Sequence, residues 1–132
     1  MTEDDFKNRT RQISRRIITL VNSLPAGTTA TVIGKQLIRS GTSIGANYRA
    51  ACRGKSRADV LNKLAIVEEE ADESMYWIDL LIASGIVPER KLAPLAQEIN
   101  EIVCMVVASI KTLRGRHGDG RSNPKSKIQI PK

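Results

Sequence analysis

Apolar residues recur every three or four positions in four stretches of the chain, with polar residues between them. Because about 3.6 residues make one helical turn, this spacing predicts four amphipathic helices. The first runs over residues 4–24, with Phe6, Ile13, Ile17, Leu20, Val21 and Leu24 on one stripe. Thr2 can cap its start, and Glu3, Asp4 and Asp5 suit the positive end of the helix dipole. Pro25-Ala26-Gly27 breaks the pattern. The second helix, capped by Thr28 or Thr29, runs to residue 53 with Ile33, Leu37, Ile44, Tyr48 and Ala51 facing a core. The third covers residues 57–84, and its stripe is Val60, Leu64, Val67, Ala71, Met75, Ile78 and Ile82. Ser56 and Asp59 form a capping-box pattern before it, and Gly85 and Pro88 suit its end. The fourth begins at Glu89 or Lys91 and carries Leu92, Leu95, Ile99, Ile102, Val103, Val106, Ile110 and Leu113.

Four such helices, three short joints and no strand pattern specify an all-α, up-down-up-down four-helix bundle over residues 1–114. Residues 115–132 have little to bury and read as a disordered basic tail.

Two features exceed what a plain bundle needs. Gly34, Gly41 and Gly45 lie on one line of the second helix, beside its core stripe. Each glycine costs about 1 kcal/mol relative to alanine inside a helix. Close approach of a neighbouring helix explains the line; a weak or kinked helix is the other reading. On the third helix, Ile66, Trp77 and Leu80 lie away from the core stripe, among Glu69, Glu70 and Glu73. These residues either touch a neighbouring helix or form an interface between copies of the chain.

Charge alters the picture further. The net charge is +7, unevenly spread. Residues 28–54 carry four basic groups and no acid, whereas residues 55–87 carry seven acids and three bases. Lys35, Arg39, Arg49 and Arg53 fall within roughly 80° of one another on the helical wheel. With the tail residues Arg121, Lys125 and Lys127 they are candidates for an anionic partner. Lys7, Arg11 and Arg15 form another row, which reads as a solvated face. No apolar run approaches the ~20 residues of a membrane span, and the polar, acidic N-terminus does not resemble a signal peptide. Cys52 and Cys104 lack metal-ligand spacing and read as reduced thiols of a cytoplasmic protein.

Catalytic patterns are missing. His117 is the sole histidine and falls in the predicted tail. No Ser–His–Asp or Cys–His set, phosphate loop or HExxH motif is present. The densest acids, Glu68 to Glu70 with Asp72 and Glu73, have no histidine at the spacing of a di-iron bundle. The expectation is a non-enzyme with no catalytic residues, no metal and no cofactor.

Ser43-Ile44-Gly45-Ala46-Asn47, followed by Ser56 and Asp59, resembles a bacterial four-helix-bundle family that includes products of large-subunit rRNA intervening sequences. Leu61, Leu64, Ile66 and Glu73 also fall where that family has similar residues. The resemblance spans residues 13–113 and is specific over 39–73. Ala50 and Ala51 stand where the family often has Glu-Gly, which marks a divergent branch. The resemblance implies a cytoplasmic ring, commonly of five subunits. It also implies kinship with nucleic-acid-binding accessory proteins of diversity-generating retroelements.

Two functions follow as expectations. One is an oligomeric adaptor that binds RNA or DNA through backbone phosphates. The other is a scaffolding homo-oligomer with a protein partner, in which the basic stripe pairs with Glu69, Glu70 and Glu73 of a neighbouring subunit.

Overall fold

The computed structural model describes residues 1–118, with side chains to residue 115. It contains α1 (Glu3–Asn22), α2 (Thr28–Cys52), α3 (Arg57–Ala83) and α4 (Glu89–Gly118), and no strand among the described residues. The four-helix bundle expected from periodicity is what forms. The fourth helix runs past Leu113, so helix continues into the stretch assigned to the tail. The remainder of that predicted tail, with Arg121, Lys125 and Lys127, lies outside the described residues.

Local chemistry sets the helix limits. Thr2 accepts from the Asp5 backbone N–H at 3.0 Å, and the Asp5 carboxylate accepts from the Thr2 N–H at 3.1 Å. This reciprocal pair satisfies two donors that the first turn would leave open. At α2 neither threonine caps. Gly27 is the N-cap, with no side-chain bond and a φ of 145° that favours glycine. At α3 Ser56 accepts from the Asp59 N–H at 3.1 Å, while Asp59 reaches back to the Lys55 N–H rather than that of Ser56. Gly85, at φ 72°, ends that helix, and the Ile86 N–H returns to the Leu81 carbonyl.

The core is aliphatic. Ile13, Ile17, Leu37, Ile44, Val67, Ile99 and Ile102 are fully buried, and Phe6 stacks on half-buried Tyr48 with centroids 4.2 Å apart. On α3 the buried line is Leu64, Val67, Ala71, Ser74, Ile78 and Leu81. This alternating three-four spacing is a coiled-coil seam. It replaces the expected Val60, Met75 and Ile82, which are only partly buried. The shift follows from Ser74, whose hydroxyl donates to Ser40 of α2 at 2.9 Å in a fully buried pair. Ser40 donates to the Leu37 carbonyl at 3.4 Å, and the single Ser74 proton is shared between Ser40 and the Glu70 carbonyl, also at 2.9 Å, so no buried polar atom is left unpaired among the described residues.

By length and mean hydropathy α4 is long and apolar enough to cross a membrane, contrary to the expectation that no segment is. Its Leu92, Leu95, Ile99, Ile102, Val103, Val106 and Ile110 are buried in the bundle core.

Chain neighbours pack closely, whereas α1 and α4 touch sparsely. Their seam is held by Arg9, which donates to both Glu98 oxygens at 2.8 Å and to Glu101 at 2.7 Å. The Arg9 guanidinium holds the Glu98 carboxyl below its usual range. A carboxylate with a depressed folded pKa stabilises above its unfolded value and loses that contribution as pH falls through the folded one. Arg9→Met is therefore expected to cost about 1 kcal/mol at neutral pH, below the ~1.5–3 of charged hydrogen bonds because water reaches the pair. The variant should also lose stability less steeply than the wild type as pH falls below about 4.3, the unperturbed Glu value. Urea unfolding at pH 7 and in this acid range checks both statements. Equal acid sensitivity would remove Arg9 as the cause.

Candidate nucleic-acid interface

The glycine line settles the packing of α2. Gly34, Gly41 and Gly45 are buried against α1. A β-carbon on Gly34 would come within 2.9 Å of Val21 Cγ1, and one on Gly41 would overlap Ile17 Cδ1. On Gly45 it would meet Thr10 Oγ1 at 3.3 Å. The helix is regular, and the missing side chains admit its neighbour. Thr10 is itself fully buried and donates to the Lys7 carbonyl at 3.0 Å.

Above Gly45 the two helices leave a groove of about 320 Å³ lined by Lys7, Asn8, Thr10, Arg11, Ser14, Ala46 and Arg49. None of its lining residues is acidic. Lys7 also pairs with Glu3 at 3.2 Å, one turn away on the same helix. Arg11 and Arg49 are exposed and come from different helices. Lys7 and Arg11, which in sequence look like a merely solvated row, thus meet Arg49 across a cleft. The signal that could have found this was the glycine line, which brings α1 against the side of α2 next to Arg49.

The basic stripe of α2 does not act as one surface. Lys35 lines the other end of the α1–α2 seam, beside Gly34 and Leu24. Arg53 is exposed just beyond the last turn of α2. Arg39 turns the other way, toward α3. Its guanidinium donates to Glu70 at 3.3 Å and to Glu73. The Glu73 contact, first, raises the Arg39 pKa, and Arg39 in turn lowers that of Glu73. Nothing acidic on α2 neutralises these cations, but α3 of the same chain supplies the partners of Arg39. The reason is position: Arg39 sits on the α3 side of the stripe and Arg49 on the α1 side, and a long side chain reaches the nearest groups.

The expected interface residues of α3 fall into two sets. Trp77 and Leu80 are half-buried and pack against the core. Ile66 is half-buried, and Glu69 is exposed. The Trp77 indole N–H donates to Glu73 at 3.1 Å, and its ring meets Tyr76 edge-on at 5.1 Å. Tyr76 is 56% exposed and Val32 of α2 is 52% exposed. Neither stood out in the sequence, because each lies outside the apolar stripes that mark the helices.

At the bundle end where α1 starts, a second cleft of about 500 Å³ opens between helix termini. Tyr48 and Cys52 lie in it, and burial, first of all, pushes up the pKa of each. Among the described residues no group of three or more His, Cys, Asp or Glu stands in metal-binding array.

These features define a class: an all-helical bundle whose most distinctive surface is a cationic groove between helices. The family described as "23S rRNA-intervening sequence protein" matches residues 3–108, and the chain belongs to that family. A solved structure from Bacteroides thetaiotaomicron, a protein with unknown function from the S23 ribosomal protein family, is similar. It shares 36% identity at a TM-score of 0.78, covering 84% of this chain and 99% of that one. No curated protein matches the sequence. Neither the family description nor that structure's description names an enzymatic activity.

Proposed function

We propose that this protein is a non-enzymatic, cytoplasmic homo-oligomer that binds RNA or DNA through backbone phosphates as an adaptor. The observation that carries the reading is the α1–α2 groove, where Lys7, Arg11 and Arg49 converge without an acid in the lining. Cations there attract phosphate without reading bases, so selectivity for sequence is weak. Lys35 and Arg53 extend the surface along α2, and Arg121, Lys125 and Lys127 supplement it from the C-terminal segment. Arg39 is committed to Glu70 and Glu73 and contributes to subunit architecture instead.

A single subunit binds poorly, because a few exposed Lys and Arg contacts are worth little each. Repetition around an oligomer supplies avidity when one strand spans several grooves. Five subunits are favoured by the family resemblance. The assembly surface is the α3 face of Ile66, Glu69, Trp77 and Leu80, joined by Tyr76. Trp and Tyr often anchor interfaces.

Salt titration of binding to a labelled oligonucleotide tests the phosphate reading. Each neutralised phosphate lowers log K by about 0.7 per decade of salt on single strands and about 0.9 on duplex DNA. Three groove cations give a slope near 2 for each engaged subunit on a single strand. No binding to any RNA or DNA at low salt would end the proposal. Light scattering tests assembly separately: a monomer mass at micromolar concentration would end that part. An oligomer unchanged by Trp77→Ala would end only the interface assignment.

The alternative is a protein-binding scaffold with no nucleic-acid role. The exposure of Tyr76 and Val32 favours it, since large apolar side chains held in water mark contact surfaces. Assembly without any salt-dependent nucleic-acid binding would decide for it.

A further inference from the structure

We propose that the cleft at the α1 start is a docking site for the chain's own C-terminal segment, through Ile128 and Ile130. The proposal is independent of the nucleic-acid reading. The cleft lies where the N-terminus of α1, the C-terminus of α2, the N-terminus of α3 and the late turns of α4 come together. Val60 and Leu113 are half-buried and supply apolar surface, Ala51 and Leu64 are buried beneath it, and Tyr48 and Cys52 sit beside them. Glu3 stands among the lining residues, with its carboxylate side chain 57% exposed.

Three observations select the occupant. The first is composition. After Leu113 the only large apolar residues are Ile128 and Ile130, in Lys127-Ile128-Gln129-Ile130-Pro131-Lys132. In an extended segment residues two apart share a face, so both isoleucines point the same way. The second is reach. Gly118 lies about 8 Å beyond Leu113 along the helix axis, at ~1.5 Å per residue. The ten residues from Gly118 to Ile128 span up to about 33–36 Å extended, ample to turn back into the cleft. The third is charge: Lys132, two residues after Ile130, is a cation for Glu3, whose carboxylate is more than half exposed while it pairs with Lys7. The family match ends at residue 108, so Leu113 and the docking segment both lie beyond it. Most of the cleft lining, from Glu3 to Ala108, lies within the matched region.

Closing such a loop costs little more than closing a shorter one, since the entropy grows only with the logarithm of length. Isoleucine side chains gain from leaving water where the cleft offers apolar surface.

Cys52 in the cleft reports on the occupant, and exposed Cys104 serves as the internal control. Both thiols are timed against a thiol-reactive disulfide reagent, with the sites assigned by mass spectrometry. In Ile128→Ser/Ile130→Ser, Cys52 is expected to react about tenfold faster than in the wild type, with Cys104 unchanged. Tenfold corresponds to a docking free energy of about 1.4 kcal/mol. Both substitutions lie outside the bundle, so folding is not at stake. Equal Cys52 rates in the two proteins would overturn the proposal. A second measurement asks which chain supplies the segment. In a Cys104→Ser background, Ile130→Cys is expected to form a disulfide with Cys52 within one chain, faster than Ser122→Cys does. A link formed only between chains, or at equal rates from both positions, would overturn it.

Discussion

Reversing two charges, Arg11→Glu with Arg49→Glu, is expected to weaken oligonucleotide binding by about 100-fold at low salt. Each reversal is assigned about 1.4 kcal/mol, which is tenfold. The salt slope should fall as well, by about 0.7 for every phosphate of a single strand that the protein no longer neutralises. The two residues come from α1 and α2 and share one groove, so either reversal alone places a negative charge beside the remaining cations. Neither arginine forms an ion pair among the described residues, so helicity and oligomer mass should be unchanged. The matched control is Arg39→Glu. That change places a third acid beside Glu70 and Glu73, and its expected effect is on stability or assembly, with binding per assembled oligomer retained. Retained binding by the Arg11/Arg49 variant would remove the groove from the mechanism. Loss of the oligomer in the same variant would support pairing between subunits instead.

The second large effect concerns Gly41. In an open helix, alanine at this position would add about 1 kcal/mol of stability over glycine. Here the added carbon would overlap Ile17 Cδ1 and crowd its Cγ2 and Cγ1 at 3.2 and 3.3 Å, and that side chain is fully buried. Overpacking of this kind costs about 1–3 kcal/mol. Gly41→Ala is therefore expected to destabilise the bundle despite its better helix propensity. Ile17→Val removes the offending Cδ1 and should cost about 0.5–1.5 kcal/mol alone. Combined, the two should be more stable than the sum of their separate effects, by a coupling within the ~0.5–3 kcal/mol found for neighbouring residues. Denaturant unfolding of the four proteins measures this directly. Additive behaviour would mean that α1 and α2 separate freely enough to absorb the methyl group.

Much of the fold was written in period and punctuation. The four stripes placed every helix to within a few residues, because an aliphatic core leaves little choice of buried face. What escaped was polar. Ser40, Ser74 and Thr10 are buried yet carry hydroxyls, so no hydrophobic count finds them; Thr10 is satisfied by a carbonyl of its own helix, and the two serines also by each other across α2 and α3. The cap of α2 escaped for a related reason: two threonines promised a side-chain bond, and the backbone freedom of Gly27 was used instead. The candidate site was legible in part. Arg49 was singled out, and the glycine line pointed at a close neighbour, but which α1 residues meet Arg49 depends on the register of two helices. Arg39 shows the converse. On a wheel it belongs with the other cations; in space, α3 claims it.

Trp77 is the sole tryptophan, and its indole N–H rests on the carboxylate that also receives Arg39. Its fluorescence is thus tied to one carboxylate on the α3 face as well as to the core against which it packs. Any event there that moves Glu73, whether a neighbouring subunit arriving or a proton being taken up, changes the field around the indole. The protein carries a built-in optical reporter of that face, readable without a label.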